Sequence, residues 1–271
     1  MINSPKILFE NIQQIDILSN GMKYSKESII TSIHELATQI INELKVTSLK
    51  NIIIGEVSLY EKVLGEARMN SQKSEIKISY KIAVNLVNNH SLGYEQENKK
   101  DALATFYHEF YHILDYEKVW MNLSKQQLAS CQLNDVQCGY DIWTEIYATY
   151  AAFNIKEQAR IYNNFEYVFL YDNENISNKK YHTARLLGYF LREEHSSTCD
   201  ELIEKYLHTY TFKQVSDLLV EMLNSYPNIT AENLVQLNVL IEKSISNNID
   251  FDKLKPIDIA TILQKAKNRN N

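Results

Sequence analysis

Two histidines and a glutamate stand at the spacing His-Glu-x-x-His between His108 and His112. The surrounding residues favour a helix, and side chains four positions apart project from the same helix face. Both imidazoles could therefore bind one zinc ion, with Glu109 beside them to accept a proton. This pattern predicts the metal site of a zinc metallopeptidase, and it is the most specific chemical signal in the chain.

Apolar residues of the same segment lie on the other side of the predicted helix. At about 100° per residue, His108 and His112 fall nearly opposite this apolar stripe. The stripe consists of Leu103, Phe106, Phe110, Ile113 and Leu114. We therefore predict a helix over about 101–119 that buries one face and presents the histidines on the other.

A catalytic zinc site also needs a third protein ligand and an open position for water. A second predicted helix, from about 141 to 160, contains Glu145, which we favour as that ligand. Asp141, one turn earlier on the same face, is the alternative, and Asp135 in the preceding loop is a weaker one. One large group of zinc peptidases is excluded, because its third histidine would stand where this chain has Lys118.

The predicted site implies a hydrolytic mechanism. Zinc held by His108, His112 and Glu145 would lower the pKa of a bound water toward neutrality. Glu109 would accept the proton as the water attacks a peptide carbonyl, and would then pass it to the leaving amine. Zinc would also polarise the carbonyl oxygen.

Two further roles need side chains near the metal. Candidate donors to the oxyanion lie near Glu145 or on the next helix: Tyr147, Tyr150, Tyr181 and His182. Of these we select Tyr150 and His182. The second N–H of a ligand histidine usually meets an oxygen, and Asp115, one turn past His112, is our candidate for it. An exposed pairing of Asp115 with Lys118 is the alternative.

Composition narrows the class of protein. The chain has 271 residues, 45% of them hydrophobic, a net charge of −6, and only 6 Gly and 3 Pro, so we expect a mainly helical globular protein. The chain has no basic run of the kind that binds nucleic acid directly, and it has no apolar run long enough for a membrane span. With 3 scattered cysteines and no signal peptide, we expect a cytoplasmic protein that acts on a protein or peptide.

The first half of the chain is predicted to be a small α/β unit. Residues 25–44 form an amphipathic helix and 51–55 a buried strand, whereas 57–70 are ambiguous between helix and strand. Residues 75–84 alternate between apolar and polar side chains, which predicts a half-buried strand at a sheet edge. A polar loop is expected over 88–100.

The second half is predicted to contain helices alone. They fall near 178–194, 199–208, 212–225, 230–246 and 257–268, with Thr230 as a cap. The predicted fold class is α+β, with a metallopeptidase domain at 1–170 and a helical accessory domain at 171–271. The boundary is placed in the polar segment near Asp172.

The order of these elements resembles the gluzincin plan, a zincin-like unit with a His-Glu-x-x-His helix and then a helix with Glu-x-x-Ala, here Glu145–Ala148. The layout is similar to the ImmA/IrrE-like metallopeptidases over residues 25–160. The resemblance implies zinc-dependent cleavage of a regulatory protein, and it implies that a strand at 76–84 binds an extended peptide by strand addition. This chain departs from the thermolysin-like enzymes at Thr149, where they have an acid, and in its long interval between His112 and Glu145.

Three functions are consistent with the sequence. The first is a zinc peptidase of narrow specificity. The second is a zincin-fold regulatory or binding module in which zinc is structural and no proteolysis occurs. The third is a helical interaction protein in which the motif arose by chance.

Overall fold

A computed structural model provides the structure of the protein. It describes residues 4–10, 17–19, 22–55, 65–70, 73–87, 94–123, 125–152, 162–169, 175–192, 197–207 and 209–246. The fold is α+β, as predicted, with a small mixed sheet and a larger number of helices. Among the described residues, no helix combines the length and the apolar character needed to cross a lipid bilayer.

The main sheet has four strands in the order β1-β4-β6-β5. The strands of the chain are β1 (Lys6–Phe9), β2 (Ile17–Ser19), β3 (Met22–Tyr24), β4 (Leu49–Ile54), β5 (Gly65–Met69) and β6 (Ser74–Ile78). Strand β4 runs parallel to β1 and β6, β5 runs antiparallel to β6, and β2 and β3 form a separate pair. Strand β5 therefore lies at the end of the four-stranded order.

Ten helices and a 3-10 turn are described. They are α1 (Lys26–Leu44), α2 (Tyr80–Val87), α3 (Tyr94–Lys118), the turn at Trp120–Asn122, α4 (Lys125–Ser130), α5 (Leu133–Ala151), α6 (162–169), α7 (Ile176–Phe190), α8 (Ser197–Tyr206), α9 (Thr209–Ser225) and α10 (Ala231–Ser246). Helix α3 begins earlier than expected, because 94–100, predicted as loop, are helical. The helix predicted at 257–268 lies outside the described residues.

Local signals account for the ends of two helices. The side chain of Ser25 accepts a hydrogen bond from the Ser28 N–H at 3.1 Å and starts α1. Lys45 adopts the left-handed conformation at φ 61°, and its N–H donates to the Ile41 carbonyl, which ends α1. At the start of α10, the predicted cap Thr230 accepts from the Asn233 N–H at 3.2 Å.

The predicted edge strand over 75–84 is wrong in two respects. The strand ends at Ile78, and it lies inside the sheet between β4 and β5. The hydroxyl of Ser79 accepts from the Ile82 N–H at 3.3 Å, and the Ser79 carbonyl accepts from Ala83, so Ser79 begins α2. The alternation of apolar residues thus continues across a strand and a helix.

One hydrophobic core fills the space between the sheet and the first three helices. It contains isoleucines of α1, β4 and β6 together with Phe106 and Phe110, the apolar face of α3. Both phenylalanines are fully buried. The predicted apolar stripe of the motif helix is therefore the surface that attaches α3 to the sheet.

A second core joins α5 to the helices that follow it. Trp143 and Ile146 of α5 pack with Leu187 of α7 and with Leu234 and Leu237 of α10. This core contains residues from both sides of the predicted boundary at 170/171. Helix α5 thus contacts α3, which packs on the sheet, and also contacts α7 and α10 of the C-terminal half.

Candidate metal centre

Helices α3 and α5 bring three predicted metal ligands together. The Nε2 atoms of His108 and His112 lie 3.0 Å apart. The Glu145 carboxylate faces both, with Oε1 3.4 Å from His108 Nε2 and Oε2 3.3 Å from His112 Nε2. A tetrahedral ion with bonds of about 2.0–2.1 Å separates its ligand atoms by about 3.3–3.4 Å. The three side chains therefore have the spacing of a set of metal ligands.

The chemistry of this group also fits a metal ion. The side chains of His108 and His112 are each 12% exposed and that of Glu145 is 9% exposed, so little water reaches them. Oε1 of Glu145 is buried and has no hydrogen-bond partner among the described residues. A buried carboxylate oxygen is costly unless positive charge compensates it, and a metal ion would add to the charge of Arg185, whose Nε lies 3.5 Å from this atom. His108, His112 and Glu145 could thus hold a metal ion.

Charge within the site favours the ionised form of Glu145. Burial disfavours the carboxylate, but the two imidazoles more than offset this effect and hold its pKa well below the ordinary value. A carboxylate must be ionised to bind a metal, so Glu145 has the charge state that this role requires.

The alternative third ligands have other surroundings. Asp141 is exposed, and its Oδ1 accepts a hydrogen bond from Gln137 Nε2 at 2.8 Å. Asp135, predicted in a loop, lies in the first turn of α5. The structure brings Glu145, and neither aspartate, into the group with the two histidines.

Glu109 is buried beside the ligands. It is 5% exposed, and burial raises the pKa of its carboxyl group, while the neighbouring His108 and His112 oppose that rise. A Cβ atom on Gly65 of β5 would lie 2.7 Å from Glu109 Oε1. The glycine at the start of β5 therefore leaves the space that Glu109 occupies between α3 and the sheet.

Behind the ligands, a polar group links α3 to α5. Nδ1 of His112 lies 3.0 Å from Thr144 Oγ1. Asp115 is fully buried, and its Oδ1 accepts from the Trp143 indole N–H at 3.1 Å. Because Asp115 is buried, the alternative pairing of its side chain with exposed Lys118 is wrong. The atom next to His112 Nδ1 is the Thr144 hydroxyl, which sequence reasoning did not identify.

Asp115 has an unusual pKa for a carboxylic acid. Burial raises the pKa to about 7, against the opposing effects of hydrogen bonds from Trp143 and Thr144 and of the nearby His112. The carboxyl group therefore titrates near neutral pH, although it lies inside the protein.

The two predicted oxyanion donors have different environments. The Arg192 guanidinium carbon lies 5.3 Å from the centre of the Tyr150 ring. The backbone carbonyl of Tyr150 accepts a hydrogen bond from the same guanidinium at 3.1 Å. Tyr150 is about 140° around α5 from Glu145, and among the described residues its contacts do not include the ligands. His182 is half-buried on α7, with its ring 5.1 Å from that of Tyr181. A role for His182 stays a prediction.

A cation from the C-terminal half reaches the site. Nε of Arg185, on α7, lies 3.5 Å from Glu145 Oε1. The approach depends on Gly188, where a Cβ atom would lie 2.7 Å from the Ile146 carbonyl and from Thr149 Cβ. Sequence reasoning missed Arg185, since nothing in its local sequence reports a partner on another helix.

Comparison with known proteins adds no assignment. No family model, no curated protein and no solved structure matches this chain. The resemblance to the ImmA/IrrE-like metallopeptidases therefore stays a prediction.

Proposed function

We propose that this protein is a zinc-dependent endopeptidase that cleaves a specific regulatory protein. The observation that carries the proposal is the convergence of His108, His112 and Glu145, with Glu109 buried beside them. Two histidines and a carboxylate are the ligand set of one class of catalytic zinc sites. This donor set, two imidazoles and one carboxylate, is the reason for proposing zinc rather than another ion.

The protein and the metal would divide the chemistry between them. When bound, zinc would act as a Lewis acid that lowers the pKa of water toward neutrality and polarises a carbonyl group. Glu109 accepts the proton from the attacking water and donates it to the amine that leaves. Its raised pKa suits both steps, because a carboxyl group that titrates closer to neutral pH can both take up and release a proton.

Strand β5 offers support for a peptide substrate. It is last in the strand order, and Gly65 at its start approaches Glu109. An extended peptide that pairs with such a strand would have its backbone beside the general base. This role replaces the one that the resemblance implied for 76–84, whose strand lies inside the sheet.

The free state of the cysteines supports a reducing compartment. Cys131, Cys138 and Cys199 are all free, and the cytoplasm keeps thiols reduced. We therefore propose a cytoplasmic location and a cytoplasmic substrate.

A module with a structural metal is the second candidate. The low exposure of the ligands favours it, because structural sites are closed to solvent. Glu109 distinguishes the two functions. In a structural site it has no chemical role, whereas in a peptidase it is required for turnover.

The test compares cells that express the wild type with cells that express Glu109→Gln, and maps new protein N-termini in both. We expect cleaved fragments only with the wild type, while the purified variant retains one zinc per chain. Glu204→Gln, at an exposed position of α8, is the matched control and should cleave normally. Identical N-termini in wild-type and Glu109→Gln cells would reject the peptidase and leave the structural module.

A further inference from the structure

His112 has neighbours at both of its ring nitrogens. Nε2 faces His108 and Glu145, whereas Nδ1 lies 3.0 Å from the hydroxyl oxygen of Thr144. Thr144 is 7% exposed, so solvent does not compete for this contact. Thr144 thus meets the ring nitrogen that is turned away from the proposed metal position.

A hydroxyl group alone does not decide which nitrogen carries the proton of the neutral ring. It can accept a hydrogen bond from Nδ1–H, or it can donate its own proton to Nδ1. In the first case the Nε2 lone pair is available for a metal. In the second case Nε2 carries the proton and cannot bind one. Metal binding at Nε2 would set the direction, because it leaves the ring proton on Nδ1, which then donates to Thr144.

A hydrogen bond next to this contact holds the two helices together. The Trp143 indole N–H donates to Oδ1 of the fully buried Asp115 at 3.1 Å. Trp143 directly precedes Thr144 on α5, and Asp115 lies one turn after His112 on α3. This hydrogen bond therefore helps to keep Thr144 beside His112.

We propose that Thr144 is a positioning residue that accepts a hydrogen bond from Nδ1–H of His112 and so orients Nε2 of that imidazole toward the metal. Trp143 and Thr144 are adjacent on α5, while His112 and Asp115 are one turn apart on α3. The same four residues therefore join the two helices and orient one imidazole. The inference rests on the proposed metal site and adds a residue that lies directly before a ligand in sequence.

Zinc affinity, measured by competition with a chromophoric chelator, tests the proposal without a substrate. Thr144→Val keeps the shape of the side chain and removes the hydroxyl. Loss of an outer contact of this kind costs about 10–100-fold in metal affinity, and we expect a loss in that range. Thr144→Ser restores the hydroxyl and should bind nearly as tightly as the wild type.

Thr149→Val is the matched control. Thr149 is also a buried threonine of α5, 3% exposed, and its Oγ1 has no hydrogen-bond partner among the described residues. Its replacement should leave zinc affinity unchanged. A loss of affinity in Thr149→Val equal to that in Thr144→Val would assign the effect to packing of α5 and overturn the proposal.

A second measurement detects the hydrogen bond itself. In zinc-loaded protein labelled with ¹⁵N-histidine, NMR follows solvent exchange of the His112 Nδ1–H proton. We expect slow exchange in the wild type and in Thr144→Ser, and faster exchange in Thr144→Val, whereas equal rates in all three would overturn the proposal. If Thr144→Val does not fold, Thr144→Ala takes its place with the same expectation.

The possible failures are distinguishable. If the wild type binds zinc and Thr144→Val binds it as tightly, the role of Thr144 is overturned and the metal site stands. If the wild type and His108→Ala bind zinc equally weakly, the metal site fails and the inference fails with it.

Discussion

Oε2 of Glu145 lies 3.3 Å from Nε2 of His112, although the two residues belong to different helices. The contact exists because α3 and α5 pack side by side, with Trp143 donating to Asp115 across the interface. Burial of Glu145 and His112 is favourable only if the carboxylate charge is balanced by nearby positive charge. Zinc and Arg185 could both supply that charge, so changing either one should have a measurable effect.

Zinc should stabilise the protein through these residues. A ligand that binds only the folded state stabilises it by about 4 kcal/mol at a thousandfold excess over its Kd. We expect thermal denaturation to show a zinc-dependent rise in Tm that chelation reverses and that His108→Ala abolishes. The control is His34→Ala, at a half-buried position of α1, and this variant should keep the zinc-dependent rise in Tm. A zinc-dependent rise that persists in His108→Ala would assign zinc to another site.

Replacing Arg185 should affect the metal-free protein most. Its Nε lies 3.5 Å from Glu145 Oε1, and both side chains are nearly buried. Removing one partner of a buried ion pair costs roughly 3–5 kcal/mol, because the other charge stays uncompensated. A bound cation would supply that compensation. We therefore expect Arg185→Met to lower the free energy of unfolding more in chelator than in zinc.

Arg192→Met provides the comparison for Arg185. Arg192 lies two residues after the end of α7, and its guanidinium donates to the Tyr150 carbonyl at 3.1 Å. Loss of this bond should cost about 1 kcal/mol, equally with and without zinc. Equal losses in both conditions for Arg185→Met would show that Arg185 does not balance the charge of Glu145.

The ligands could be predicted from sequence because helical spacing is a local property. His108 and His112 share a face for that reason, and Glu145 stands out as an acid whose helix neighbours Ile142, Ile146 and Ala148 are apolar. Arg185 could not be predicted, because its contact depends on how α7 packs on α5. Gly65 carries no signal of its own either, since its role is to leave space for Glu109.

The prediction of one strand over 75–84 is wrong for a different physical reason. Apolar residues at alternate positions suit a strand, yet Ile82 and Val84 are equally buried in a short helix that packs on the core. Ser79 carries the deciding signal, because its side chain caps the N terminus of that helix. A capping residue inside an alternating pattern therefore outweighs the alternation.

Gly65→Ala should uncouple metal binding from catalysis. The new Cβ would lie 2.7 Å from Glu109 Oε1, so the carboxylate must move. The three atoms nearest to the new Cβ all belong to Glu109, and overpacking of this size costs roughly 1–3 kcal/mol. We expect zinc affinity near the wild-type value and loss of the cleavage products that we expect from the wild type. Normal cleavage by Gly65→Ala would show that the position of Glu109 against β5 is not required.

Asp115 should give the stability of the metal-free protein a pH dependence. Its pKa in the folded protein is raised to about 7, above the ordinary value of 3.8. Between these values the folded state binds more protons than the unfolded chain, so the free energy of unfolding falls as pH rises. The full window corresponds to about 4 kcal/mol.

Asp115→Asn isolates this effect. Urea denaturation in chelator at about pH 4 and about pH 7 should show a smaller fall in stability for the variant than for the wild type. Contributions from Glu109 and His112 are common to both proteins and cancel in the comparison. An unchanged fall in Asp115→Asn would mean that Asp115 is already ionised throughout this range.

The central claim is that His108, His112 and Glu145 bind one zinc ion. A crystal structure of the zinc-loaded protein, with anomalous data recorded at the zinc absorption edge, tests it most directly. We predict one anomalous peak per chain, within about 2.0–2.2 Å of both Nε2 atoms and of a Glu145 oxygen. No peak between these side chains, or a peak bound by Asp141 in place of Glu145, would contradict the account.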